Sequence, residues 1–170
     1  VSVAEICRAA GYSNGIFYRY FRNKEDLFRR ILSRVLDMIR QATEAAGGTG
    51  TDERLRRFLD AIIGFSWDHR DLVSVFREGQ YRFFEYEHQL VAIYQRGLGV
   101  ALGRDARLGE YLFALGGTRF CAIRRALHDV PVSVDDVHRI VRRGLFPGAA
   151  WDSAAVFDTP ARPLPLALEE

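Results

Sequence analysis

Residues 14–20 carry the most distinctive chemistry in the chain. They read Asn-Gly-Ile-Phe-Tyr-Arg-Tyr, and Phe21 follows. Wound as a helix, Phe17 and Phe21 stack four apart on one side, where they need burial. Gly15, Ile16 and Arg19 then point the opposite way, with Asn14 and Tyr18 on one flank and Tyr20 on the other. Such a face is ill suited to water and well suited to a DNA major groove. Arg19 can pair bidentately with guanine, and Ile16 can touch a thymine methyl. The Tyr18 and Tyr20 hydroxyls can bond phosphates on the two groove walls, and Gly15 lets the backbone approach closely. Lys24 opens the next helix, where its charge and the free amides of a helix start both favour a phosphate. The plain alternative is that the tyrosines pack and Arg19 is solvated. Periodicity alone leaves the two readings level.

The flanking elements can position that face. Ser2 and Glu5 form a capping box for a helix over 2–10, with Val3, Ile6, Cys7 and Ala10 as its apolar stripe. Gly11 ends it, and Ser13 caps a second short helix over 14–21. Two short helices across a glycine turn are the skeleton of a helix-turn-helix. Asn23 caps a long third helix, whose apolar spacing runs from Leu27 to Ile39 and fades at Gly47-Gly48-Thr49-Gly50.

The run Val3-Ala4-Glu5-Ile6, and then Ala10-Gly11-Tyr12-Ser13 through Asn23-Lys24-Glu25-Asp26-Leu27-Phe28, closely resembles the DNA-binding segment of the TetR repressors. The Phe-Tyr-x-Tyr-Phe-x-x-Lys-x-x-Leu string within it is highly specific. The likeness covers about residues 1–40. It implies that Ser13, Asn14, Gly15, Ile16, Tyr18, Arg19, Tyr20 and Lys24 fall at DNA-contacting positions. It also implies an all-α fold, in which a helix-turn-helix domain (1–45) is joined by the long helix to a helical-bundle effector and dimerisation domain (51–146). A C-terminal tail (147–170) holds Pro160, Pro163 and Pro165, with Trp151 and Phe157 available to pack it. Family members carry a helix ahead of residue 2 that packs on Ile6, Phe17 and Phe21. The chain as given starts at Val1, so the expectation is a head that lacks its first helix.

The body reads as helices over about 51–68, 70–78, 80–103, 106–128 and 133–145, and no alternating strand pattern occurs. Its aromatic surplus exceeds what a small bundle needs. Phe65, Phe76, Tyr81, Phe84, His88, Tyr94, Phe113 and Phe120 are the expected lining of a cavity for a small apolar or aromatic effector. The last two helices are the expected dimer interface, through Leu108, Leu112, Leu115, Gly116, Val137, Ile140, Val141 and Leu145. Gly116-Gly117 marks a close helix crossing. The blander reading of all these residues is that they fill the monomer's own core.

Composition narrows the alternatives. The first 40 residues hold eight Arg or Lys and four Asp or Glu, a net +4. The other 130 hold sixteen and eighteen, a net −2. A basic end on a mildly acidic body fits a DNA-binding module, although 23 of the 24 basic residues are arginine, so arginine abundance says little. No apolar run approaches a membrane span, no signal segment opens the chain, and Cys7 and Cys121 form no disulfide framework. The chain therefore reads as cytoplasmic. No catalytic residues, metal ligands or cofactor motif stand out, and Glu85 and His88 alone do not make a metal site. The competing reading is an all-helical small-molecule-binding protein or enzyme whose N-terminal helices do not read DNA. It requires an acid–base pair or a metal in the body, and the sequence offers neither.

Overall fold

The computed structural model describes residues 1–45 and 47–146, and the side chains of all of these but Gln80 and Tyr81. The expected tail, with Trp151 and Phe157, lies outside the described residues. Among the described residues eight helices follow in order: α1 Val3–Ala10, α2 Asn14–Tyr20, α3 Lys24–Glu44, α4 Thr51–Asp68, α5 Arg70–Arg82, α6 Phe84–Leu102, α7 Leu108–His128 and α8 Val134–Leu145. The fold is all-α, with no strand among the described residues. No helix there is long and apolar enough to cross a membrane.

The helix starts follow their local chemistry. Ser2 and Glu5 make the reciprocal capping box of α1. The Asn23 side chain accepts the Asp26 amide at 2.8 Å and opens α3. Ser133 caps α8 through the Asp136 amide. Gly50 occupies the cap of α4 without a side-chain bond, and Thr51 is already helical.

The boundary between the fifth and sixth helices also moves. The spacing suggests a break near 78–80, but α5 runs on to Arg82 and the chain turns at Phe83. The Phe83 ring is buried there against Phe28 and Tyr86. Hiding that ring fixes the bend.

α4 is the central post and touches α3, α5, α6, α7 and α8. Its buried Leu55, Phe58, Leu59, Ile62 and Ile63 meet Leu32, Val35, Leu36 and Ile39 of α3, and Leu90, Tyr94 and Leu98 of α6. Ion pairs such as Arg142–Asp52 and Arg56–Asp135 tie α8 to α4 at the surface. Exposed pairs add little beside the apolar burial.

The expected close crossing at Gly116-Gly117 is not present. Both glycines face outward with nothing near them. Close approaches lie instead at Gly79, Gly97 and Gly144; at Gly97 an added Cβ would run into the buried Phe58 ring. Gly97→Ala is therefore expected to destabilise the chain by ~1–3 kcal/mol in urea unfolding through overpacking. Gly116→Ala, unobstructed within the chain, should not destabilise its fold.

Candidate functional site

α1 and α2 form a small head on the start of α3. Gly11 takes a left-handed conformation (φ 73°), as a non-glycine residue rarely does. This lets α2 turn back across α1. Phe17 is 5% exposed, and Phe21 is half-buried beside it, with ring centroids 5.2 Å apart. With that side sealed, the rest of α2 is left bare. Ser13, Asn14, Gly15, Ile16, Tyr18, Arg19, Tyr20 and Lys24 are all exposed. Tyr18 and Tyr20 each expose 60% of their surface, although both are large and partly apolar. Ser13 stands at the N-cap of α2 but makes no side-chain cap bond. Lys24 donates to the Val1 carbonyl at 3.3 Å. Beside this face lies an open apolar groove of about 660 Å³, with Ile6, Cys7, Ile16, Phe17 and Phe21 in its walls.

α3 connects head and body. The Arg29 guanidinium lies 4.1 Å over the Phe83 ring and bonds Glu85. The Tyr86 hydroxyl donates to the Arg29 carbonyl at 3.2 Å. The elbow between α5 and α6 thus grips α3 one and a half turns past its start.

Between α3, α4, α5, α6 and α7 lies a small, partly open cavity of about 40 Å³. Phe65, Phe76 and Tyr94 line it, with Val35 and Ile39 of α3 on one wall. The expected aromatic lining needs correcting elsewhere. Phe84, His88, Phe113 and Phe120 are exposed and do not reach the cavity. Helical phase is the reason, because the inward face of α7 presents Arg119, Ala122 and Ile123 instead. The Tyr81 side chain lies outside the described residues.

The polar groups of the cavity are Ser66, Arg77, Tyr94 and Arg119, of which only Tyr94 was legible in the sequence. Burial pushes the Tyr94 hydroxyl up to about 12, so it stays a neutral group. Arg119 meets Glu87 bidentately at 2.6 and 3.0 Å. Burial alone would weaken the Arg119 charge, but the bonds to Glu87 more than offset it and raise its pKa. Cys121 is half-buried, and that burial raises its thiol pKa, away from a reactive thiolate.

The expected dimer residues also divide. Leu115, Val137, Val141 and Leu145 are buried in the chain's own core and cannot meet a partner. Leu108, Leu112, Gly116 and Ile140 are exposed. With Gly109, Phe113, Gly117 and Phe120, the α7 members make an uncharged outer stripe at spacings of four. Two aromatics expected inside the cavity thus lie on this outer face.

Residues 1–31 match the family model described as bacterial regulatory proteins, tetR family. The N-terminal segment is thus similar to the DNA-binding segment of the TetR family. The chain is 36% identical over 67 residues to the HTH-type transcriptional regulator BetI of Pseudomonas fluorescens, a match covering 39% of this chain and 34% of that protein. The chain thus matches about a third of the length of that relative. No solved structure matches it. The TetR segment spans α1, α2 and the first turns of α3, so the bare face of α2 lies within it.

The Glu87–Arg119 pair allows a direct test of what holds the cavity wall. Glu87→Gln removes the negative charge paired with a partly buried guanidinium and should cost ~1–3 kcal/mol in urea unfolding. The double variant Glu87→Leu/Arg119→Met removes both charges and should cost less than the single one. Equal or greater loss in the double variant would contradict this description.

Proposed function

We propose that this protein is a ligand-responsive transcriptional repressor, acting in the cytoplasm, that binds palindromic operator DNA as a homodimer. A small apolar or aromatic effector releases it. The observation that carries this reading is the bare face of α2. Ile16, Tyr18, Arg19 and Tyr20 stand exposed around a buried Phe17, inside the segment that matches the family. Arg19 reads a guanine, Ile16 a thymine methyl, and the tyrosine hydroxyls, Ser13 and Lys24 hold phosphates. The uncovered groove over Ile6, Phe17 and Phe21 supports the seating there of the helix that family members place ahead of residue 2.

The uncharged stripe on α7, joined by Ile140 of α8, supports the dimer. Exposed apolar surface of this kind is costly unless a partner covers it. Its glycines let two copies of α7 approach closely. A two-fold dimer presents two copies of α2 to the half-sites of a palindrome.

Two measurements test these claims. Fluorescence anisotropy is made on duplexes enriched from a random pool by the chain carrying that preceding helix. Arg19→Ala should lose ~1–3 kcal/mol and relax preference at one base pair. Lys24→Ala should weaken all sequences alike and lower the salt slope by about one. Parent-like binding by both variants would remove α2 as the reader. In sedimentation at micromolar concentration the parent should be dimeric and Leu112→Glu monomeric, and a monomeric parent would overturn the dimer.

A further inference from the structure

The body cavity has a feature that an apolar effector alone does not explain. Arg77 of α5 lines it, is only partly exposed, and makes no hydrogen bond or ion pair among the described residues. The other guanidinium in the lining, Arg119, is bonded to Glu87. No Asp or Glu lines the cavity. A guanidinium that faces a mostly apolar lining with no counter-charge beside it is a ready partner for an anion.

We infer that the effector is a monoanionic carboxylic acid with an apolar body, its carboxylate held by Arg77 and its body lying against Phe65, Phe76 and Ile123. The inference rests on the effector cavity of the proposed function and adds the chemical class of its ligand. A planar guanidinium matches a carboxylate in two parallel hydrogen bonds. One unpaired cation balances one negative charge. A phosphate would bring further charge that the apolar lining leaves uncompensated. The neutral Tyr94 hydroxyl adds a hydrogen-bond donor without adding charge.

The size of the cavity sets how such an acid acts. Sites for drug-sized ligands run to roughly 300–1,000 Å³, and this cavity holds about 40 Å³. An acid therefore enters only by pushing its walls apart. Val35 and Ile39 of α3 are one wall, and Arg77 on α5 is another. The same α5 ends at the Phe83 elbow that grips Arg29. Binding energy from the Arg77 pair is thus spent on separating α3 from its neighbours.

The test uses the full chain, with decanoate and naphthoate as acids and decanol and naphthylmethanol as matched neutral probes. Binding is read by calorimetry and by thermal shift. The parent should bind at least one acid about tenfold or more tightly than its alcohol. Arg77→Met should lose that preference while keeping its affinity for the alcohol, and Arg77→Lys should recover part of it. Equal binding of acid and alcohol by the parent overturns the carboxylate assignment and leaves the apolar effector cavity standing. An acid preference that survives Arg77→Met also overturns the assignment. Binding of none of the four probes overturns it together with the cavity reading. The folded state of Arg77→Met is checked by its retained affinity for the alcohol.

Discussion

The molecule depends on one helix being sealed along its length and bare at its start. α3 buries Leu32, Val35, Leu36 and Ile39 at spacings of three and four, which is the stripe of a core helix. Its first turn carries Lys24 and Glu25 in solvent and bears the small head of α1 and α2. α3 is therefore at once the floor of the head and a member of the body's core. An α-helix of this length transmits a displacement because bending it breaks packed contacts along the whole seam. Where the body places α3, the bare face of α2 must follow.

The cavity matters because it lies on that seam. Protein cores are close-packed and respond to inserted volume by shifting whole elements. The cavity of about 40 Å³ beside Val35 and Ile39 is a gap in the packing along α3. In the proposed mechanism an effector changes DNA affinity by binding differently to two positions of α3. A coupling of ~1–3 kcal/mol gives a 5–150-fold change, which lies within reach of one charge-assisted pair plus the burial of an apolar body.

The sequence was legible wherever one helical face had a single possible fate. Phe17 and Phe21 demanded burial, so their spacing alone marked the opposite face of α2 as the outward one. Ser2 with Glu5, Gly11 and Asn23 marked the ends of α1 and the start of α3 for the same local reasons. α7 was harder. From Tyr111 to Thr118 it holds no charged residue, so its period alone did not say which apolar face meets the core. Leu115 went inward, while Leu112, Phe113 and Phe120 went outward. The Arg77 guanidinium was illegible because the chain has 23 arginines, and only its neighbours in space set it apart. The elbow at Phe83 was missed because a single ring packing against Phe28 overrode a helical pattern that ran unbroken through it.

The central claim is that occupation of the body cavity moves α3 and the head with it. Spin labels at Arg22, exposed on the head, and Asp60, exposed on α4, report that movement within one chain. The labels are placed in a background with Cys7 and Cys121 replaced by alanine, and distances are measured by electron–electron resonance with and without saturating acid. The account expects the mean distance to change by about 1–2 Å or more when the acid is bound, the scale of helix shifts in switching proteins. An unchanged distance distribution in the acid-bound protein would contradict it.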